Sequence, residues 1–269
     1  MNAQTIMICS GKGGTGKSTV SVLLGAQLGA WSRRVLLIEL DSGLRSVDMI
    51  AGVYGKTVYD IEDVLCGRCD GSKAIVPSPL YPGLSVISAP YEGGEVRAAP
   101  LAGLILAMRE YFDYILLDTA AGMGAPFTAA NRLADRALVV LTPDPVALRD
   151  GRIVADALLQ SGRPASAVRL VMNRVSRSSF GKDAAVFDLD ECIDTVGLQL
   201  IAVIPESRTL QRVEANKQNA ADVLNAKIQE LNAPVVVEVL HTRYPQGAEK
   251  QLVQAVSGRQ VPSGKLPAD

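Results

Sequence analysis

Unbroken apolar runs alternate with amphipathic stretches along most of the chain. Runs of this kind are typical of strands that helices cover on both faces, and stretches with a 3.6-residue period are typical of the helices. The predicted strands are residues 5–9, 35–39, 84–88, 114–118, 137–141, 168–173 and 198–204. The predicted helices are residues 17–30, 101–111, 126–133, 145–159 and 189–196.

Regular alternation of strands and helices predicts right-handed crossovers. The expected fold class is therefore α/β, with three layers and a mainly parallel, doubly wound sheet. No linker rich in Pro, Gly or Ser divides the chain, which predicts a single domain over residues 1–257. Residues 206–231 are expected to be helical, and residues 258–269, rich in Gly and Pro, to form a flexible tail.

The charge and cysteine content indicate which binding partners and which cellular compartment to expect. The 27 basic and 28 acidic residues nearly cancel, which excludes a global electrostatic attraction to nucleic acids or anionic lipids. The four cysteines lack the spacing of a disulfide framework, which indicates reduced thiols. Neither a signal-type segment nor an apolar run of roughly 18 residues is present, so we expect a cytoplasmic protein.

A glycine-rich segment between the first predicted strand and the first predicted helix carries the strongest chemical signal. Residues 11–18 read GKGGTGKS and match the pattern G-x-x-x-x-G-K-[ST] in the required context. Glycines let the backbone N–H groups turn towards a polyphosphate at a helix N-terminus. Lys17 is expected to reach the β and γ phosphates, and Ser18 to ligate Mg²⁺.

Two other interpretations of this segment stay open. Gly11, Gly13 and Gly16 also satisfy G-x-G-x-x-G, with Glu39 or Asp41 as the acid that binds a ribose in a dinucleotide fold. A glycine-rich turn without a ligand is the other alternative. The two lysines and the serine favour the phosphate-binding loop.

Two aspartates at the ends of predicted strands complete the candidate site. Asp118 ends an apolar run and could hold the metal's water shell, although an aspartate that only caps a turn would have the same pattern. Asp41 follows another apolar run and begins a loop that could reach the γ-phosphate and the attacking water. The sequence therefore predicts an Mg²⁺ site formed by Ser18, Asp41 and Asp118.

The chain resembles the MinD/ParA family of deviant-Walker P-loop ATPases, and within it the MinD branch. The resemblance rests on residues 11–19 (GKGGTGKST), residues 41–48 (DSGLRSVD), and the motifs VYD at 58–60 and DVL at 63–65. It implies a P-loop NTPase fold, a slow ATPase activity, ATP or ADP with Mg²⁺ as cofactors, and a homodimer that forms with ATP. In the family, such a switch positions cell-division proteins at the septum site, or other partner proteins.

The resemblance also implies roles for individual residues. Lys12 would contact the phosphates of the second subunit, Asp41 would orient water, and residues 119–124 would form a second switch. Asn173, Pro205 and Glu206 match the positions that recognise adenine. The expected catalytic residues are Lys12, Lys17, Asp41 and Asp118. The expected nucleotide contacts are Gly11, Lys12, Gly13, Gly14, Thr15, Gly16, Lys17, Ser18, Thr19, Asn173, Pro205 and Glu206.

The resemblance gives weaker indications of the surfaces that bind partner proteins or a membrane. Residues 148–150 resemble the segment that regulatory partners use, but a solvated helix face has the same composition. Kinship implies a peripheral position on the inner face of the membrane, yet residues 260–269 contain two prolines and a glycine and cannot form the usual basic amphipathic helix. Ser46 replaces the family's usual Asn, and residues 119–122 lack its usual Pro.

Other functional classes remain as alternatives. A ParA-type partition protein would bind DNA, but acidic residues dilute the late basic positions, so DNA is not the expected partner. Cys66 and Cys69 have the C-x-x-C spacing of iron–sulfur carriers, although the pair stands alone and is better explained as incidental surface thiols. A P-loop biosynthetic enzyme is the third alternative.

Overall fold

The computed structural model describes residues 3–43, 45–91, 97–182, 184–186 and 188–206. Its centre is an eight-stranded sheet of order β3-β4-β2-β5-β1-β6-β7-β8, in which only β3 runs antiparallel to its neighbour. The strands are β1 (Gln4–Cys9), β2 (Val35–Glu39), β3 (Val76–Pro77), β4 (Leu84–Ile87), β5 (Tyr114–Asp118), β6 (Arg136–Leu141), β7 (Val168–Val175) and β8 (Leu200–Pro205).

Helices cover both faces of this sheet. They are α1 (Lys17–Ala30), α2 (Ser46–Ile50), α3 (Ile61–Leu65), α4 (Gly71–Ala74), α5 (Ala98–Met108), α6 (Ala125–Leu133), α7 (Pro145–Gln160) and α8 (Leu189–Val196). One apolar core lies between the sheet and α3 to α8, and a second lies between the sheet, α1 and α2. This arrangement confirms the predicted three-layer α/β fold with a mainly parallel, doubly wound sheet.

The predicted elements differ from the observed ones mainly at their ends. Helix α5 begins three residues before the predicted 101–111 and ends at Met108, and β8 begins two residues after the predicted 198. Strand β3, helix α2 and helix α4 have two, five and four residues, respectively. These lengths are too short to show a period in the sequence. Residues 207–231 of the predicted late helix, and the predicted tail 258–269, lie outside the described residues.

The topology creates a crevice at the carboxyl end of β1. The chain leaves β1 through α1 towards β2 on one side, whereas β6 pairs with β1 on the other side. In doubly wound sheets, ligands bind where the strand order reverses in this way. Trp31, the C-cap of α1, lies near the amino ends of the strands, away from this crevice, and is 39% exposed.

Within the described residues, no helix has both the length and the apolar composition needed to cross a membrane.

Candidate nucleotide site

The loop between β1 and α1 has a backbone that requires glycine. Gly14 and Gly16 have φ angles of 78° and 89°, which L side chains rarely adopt. At Gly16, a Cβ atom would also lie 2.3 Å from Nδ2 of Asn173. Gly16 is the N-cap of α1 and offers no side chain to the first N–H groups of that helix. These donors are suited to bind an anion.

A cavity of about 360 Å³ lies at this helix N-terminus. Its size is within the usual range for small-molecule sites. The loop and the Asp41 segment, which are distant in sequence, meet at this cavity. Its lining residues are Gly14, Gly16, Lys17, Ser18, Thr19, Asp41, Ser46, Met49, Ile50 and Arg174. The structure therefore brings six of the predicted site residues to one surface, and adds an apolar wall and Arg174 that the sequence analysis did not include.

Lys17 and Asp118 provide buried charges beside Ser18. Lys17 is only 6% exposed, and Asp118 is fully buried at the end of β5. Burial raises the pKa of Asp118 to about 6, although hydrogen bonds from Ser18 and Ser21 and the charge of Lys17 oppose the rise. Oδ1 of Asp118 accepts from the Ser21 hydroxyl at 3.0 Å.

The donor set around Asp118 fits a magnesium ion. Within the described part of the chain, Oδ2 of Asp118 is buried and has no hydrogen-bond partner. Carboxylate and hydroxyl oxygens are the ligands that Mg²⁺ prefers, often through its own water shell. An unpaired carboxylate oxygen beside the Ser18 hydroxyl is therefore chemically suited to the ion.

Lys12 makes an ion pair that the sequence analysis did not foresee. Its Nζ atom lies 3.1 Å from Oδ1 of Asp144, and the two side chains are 41% and 35% exposed. Asp144 is also the N-cap of α7 and accepts from Ala147 N at 2.9 Å. The sequence Asp144-Pro145 is a helix-start signal, but nothing in it indicates a lysine more than 130 positions away.

Gly11 packs directly on helix α7. A Cβ atom at Gly11 would lie 2.5 Å from the carbonyl oxygen of Asp150. Leu148, in the segment 148–150 proposed for partners, is buried, whereas the side chain of Arg149 is 78% exposed. The start of the phosphate-binding loop therefore contacts the same helix that carries this segment.

Asn173 holds the loop from the other side. It is 6% exposed, and its Nδ2 atom donates to the carbonyl of Thr15 at 2.8 Å. Pro205 and Glu206 are exposed at the end of β8, where the Glu206 N–H donates to the carbonyl of Val175 at 2.8 Å. Recognition of adenine by Asn173, Pro205 and Glu206 stays a prediction.

The segment predicted as a second switch is tied to β1. Thr119 is fully buried, and its hydroxyl donates to the carbonyl of Ile8 at 3.0 Å. Gly122 has a φ of 85°, and its N–H donates to the carbonyl of Ser10 at 2.9 Å. Gly122 therefore contacts the first residue of the loop that follows β1, and Thr119 contacts β1 itself.

The cysteine motif lies at the C-terminal end of α3. Cys66 is exposed and lies 3.7 Å from a guanidinium nitrogen of Arg97, while Cys69 is half-buried. Among the residues that the structure describes, no group of three or more His, Cys, Asp or Glu side chains could hold a metal ion.

A doubly wound sheet with a glycine-rich loop between β1 and α1, and with lysine, serine and aspartate at one cavity, defines the P-loop class of nucleotide-binding proteins. The chain belongs to the CobQ/CobB/MinD/ParA nucleotide-binding family, whose domain model matches residues 6–220. A model of the Nuo51 FMN-binding domain also matches residues 189–269, of which residues 207–269 lie outside the described part.

Individual relatives agree with the family assignment. The septum site-determining protein MinD of Bacillus subtilis (strain 168) is 33% identical over 207 residues, which span 76% of this chain and 76% of the relative. The MinD of the MinC:MinD cell division complex from Aquifex aeolicus has a TM-score of 0.76 and 27% identity, covering 98% of this chain and 100% of that chain.

A third relative carries a nucleotide. MinD from Pyrococcus horikoshii OT3, complexed with Mg-ADP, has a TM-score of 0.73 and 24% identity, covering 88% of this chain and 94% of that chain. This likeness shows the shared fold. Together the comparisons confirm the predicted resemblance to the MinD branch.

Proposed function

We propose that the protein is a MinD-type switch that binds and hydrolyses ATP, dimerises with ATP bound, and positions cell-division proteins. The observation that carries this proposal is the cavity where Lys17, Ser18 and Asp41 meet, with buried Asp118 next to Ser18. The family membership and the Mg-ADP bound to the Pyrococcus relative support the choice of ligand.

Each residue of the cavity has a separate role in ATP hydrolysis. Lys17 and the N–H groups at the start of α1 hold the phosphates and stabilise the charge that develops on them. Asp41 orients a water molecule towards the γ-phosphate. Ser18, Asp41 and Asp118 are the residues that would hold Mg²⁺, which, when bound, neutralises phosphate charge.

Dimerisation depends on Lys12. In the family pattern this lysine reaches the phosphates of the second subunit, so the nucleotide joins two chains. The ion pair with Asp144 is half-exposed, and such pairs contribute about 1 kcal/mol or less. Lys12 is therefore free to exchange Asp144 for a phosphate at little energetic cost.

Protein partners and a membrane surface complete the proposal. The Aquifex relative forms a complex with MinC, which supports a protein partner for this chain. We place the protein in the cytoplasm, with a peripheral position at the membrane when it is dimeric. Sedimentation of the full chain with anionic liposomes in Mg-ATP, compared with Mg-ADP, tests the membrane component.

The decisive test of the nucleotide site is the Lys17→Ala variant. We expect ATP turnover to fall by about 100-fold or more, since the buried ammonium is lost from the phosphates. Lys73→Ala, an exposed lysine on α4, is the control and should hydrolyse ATP at the original rate. Normal turnover by Lys17→Ala would refute the site, and ATP-dependent, salt-sensitive DNA binding would favour a ParA-type function instead.

A further inference from the structure

The loop that carries Asp41 ends at a strained residue. Arg45, the N-cap of α2, has φ 47° and ψ 45°, in the left-handed region. This conformation is unfavourable for a residue with a long side chain, and such strain persists only where surrounding contacts enforce it. The contacts made by the Arg45 side chain identify what enforces it.

The Arg45 guanidinium is buried among three partners from separate segments. It is 4% exposed and lies 2.7 Å from Oδ2 of Asp48, which is fully buried. It donates to the Thr57 hydroxyl at 2.5 Å and lies 4.1 Å from the ring centre of Tyr91. The other oxygen of Asp48 accepts from the hydroxyl of Ser88. Arg45 thus joins the loop to α2, to the segment before α3, and to the segment that follows β4.

A second buried acid fixes the other side of the same loop. Glu39, at the end of β2, accepts from the N–H of Val47 at 3.1 Å and from the N–H of Ala89 at 3.4 Å. Asp41 therefore lies on a short connection between two anchored points, Glu39 and Arg45. Movement of either anchor changes where the Asp41 carboxylate lies in the cavity.

Stability alone does not account for the Arg45 pair. A buried ion pair gains little net free energy over an apolar pair of similar volume, because both charges lose their hydration. Its distinctive property is a fixed geometry, which the planar guanidinium provides through several donors at once. The strained backbone and the buried pair together point to positioning rather than to folding.

We propose that Arg45 is a positioning residue for hydrolysis: it holds the loop so that Asp41 faces the γ-phosphate, and Tyr91 adjusts this hold. Tyr91 is 56% exposed, so its ring is the part of the network that a bound molecule can touch. Arg45 acts through the backbone of the loop. The inference rests on the proposed ATPase function.

The test compares Arg45→Lys with a matched control at the amino ends of the strands, away from the cavity. Arg109 contacts Asp135 at 3.2 Å and the Thr5 hydroxyl at 3.1 Å, so like Arg45 it has a carboxylate and a hydroxyl partner. We expect Arg45→Lys to lower kcat by about tenfold while Mg-ADP affinity stays within about twofold, since lysine keeps the charge but loses the planar hold. Arg109→Lys should leave kcat unchanged.

A second measurement is independent of turnover. Amide hydrogen exchange of residues 40–47 without nucleotide should be faster in Arg45→Lys than in the unmodified protein and in Arg109→Lys, because an anchor of the loop is weakened. Unchanged exchange, or an unchanged kcat in a protein that hydrolyses ATP, overturns the positioning role. If the unmodified protein does not hydrolyse ATP, the proposed function fails and the role of Arg45 in hydrolysis fails with it, whereas faster exchange in Arg45→Lys would still show that Arg45 anchors the loop.

Substitution of the exposed Tyr91 tests its proposed effect on Arg45 without disturbing the core. We expect Tyr91→Leu to lower kcat by about threefold, through loss of the cation–π contact, and Tyr91→Phe to retain it. Equal kcat values for the two variants would remove Tyr91 from the proposal.

Discussion

Lys12 and Asp144 form an ion pair 3.1 Å long across more than 130 positions of sequence. The same carboxylate caps helix α7, and hydrogen bonds from Thr142, Ala147 and Lys12 hold the pKa of Asp144 low, although burial raises it. In the isolated chain, the proposed dimer contact is thus occupied by an internal partner. The proposed dimerisation would require that this pair separate.

Replacement of Lys12 tests its role between subunits. We expect Lys12→Ala to bind Mg-ADP with affinity similar to that of the unmodified protein, because other residues line the cavity. ATP-dependent dimerisation and hydrolysis should both be lost. Sedimentation velocity in Mg-ATP and Mg-ADP measures dimerisation, and phosphate release measures hydrolysis. A persistent ATP-dependent dimer would refute the role.

Replacement of Asp144 should have the opposite effect on assembly. Asp144→Ser keeps a good N-cap for α7 but removes the charge that holds Lys12. Since the pair is half-exposed, we expect the ATP-dependent dimer to form about two- to fivefold more tightly. Thermal unfolding of the nucleotide-free monomer controls for the cap. An unchanged dimer dissociation constant would show that the pair does not compete with assembly.

The contact between Gly11 and Asp150 predicts different effects of adding a methyl group to two glycines of the loop. Gly11→Ala should lower the free energy of unfolding by about 1–3 kcal/mol, because backbone atoms must shift. Gly13→Ala should change it by less than about 0.5 kcal/mol, since no atom lies within 4 Å of the added carbon. Urea unfolding without nucleotide compares the two, and equal losses would contradict the contact.

The hydrogen bond from Asn173 to Thr15 predicts how base selectivity will respond. Asn173→Ala leaves a loop carbonyl without its donor, so we expect binding of Mg-ATP and Mg-GTP to weaken alike, by about tenfold. Titration calorimetry with both nucleotides measures this. Selective loss of ATP binding would instead support the adenine-recognition role predicted from the sequence.

Buried Glu39 predicts a dependence of stability on pH. Burial raises its pKa from 4.5 to about 8, with a further rise from Asp118 and Asp48 and an opposing effect of the Val47 and Ala89 N–H groups. Between these values the folded protein binds more protons than the unfolded chain. The free energy of unfolding therefore falls as pH rises through this window.

Glu39→Gln should flatten this fall, because the amide stays neutral. Above about pH 6.5 the corresponding effect of Asp118 is largely complete, since its pKa is about 6. We expect the slopes of the two proteins between about pH 6.5 and 8 to differ by up to roughly 1.4 kcal/mol per pH unit. Urea unfolding without nucleotide provides the slopes, and parallel curves would contradict the prediction.

The sequence predicted those features that depend on short-range pattern. Strand β5 and helix α1 have the predicted bounds, because a buried strand must be apolar throughout and a glycine loop marks where the helix begins. Strand β3 was missed, since two residues that include a proline at a sheet edge carry no period. Helix α2 was also missed, because its five residues are too few to show a helical period.

The sequence allowed us to predict which chemical groups form the site, but not the contacts that hold them. Lys17, Ser18 and Asp41 could be named because their motifs are local. The partners of Lys12, Asn173 and Arg45 could not, because each contact joins segments whose relative position depends on the packed sheet. The strain at Arg45 in particular leaves no sign in the residue type.

The position of Trp31 determines what optical methods can measure. Trp31 is the chain's one tryptophan, and it follows a 14-residue helix whose other end is the phosphate-binding loop, about 21 Å away at 1.5 Å per residue. We therefore expect its intrinsic fluorescence to report the folding of the amino ends of the strands and to respond little to a nucleotide at the loop. Fluorescence measurements of binding will need an introduced fluorophore or a labelled nucleotide.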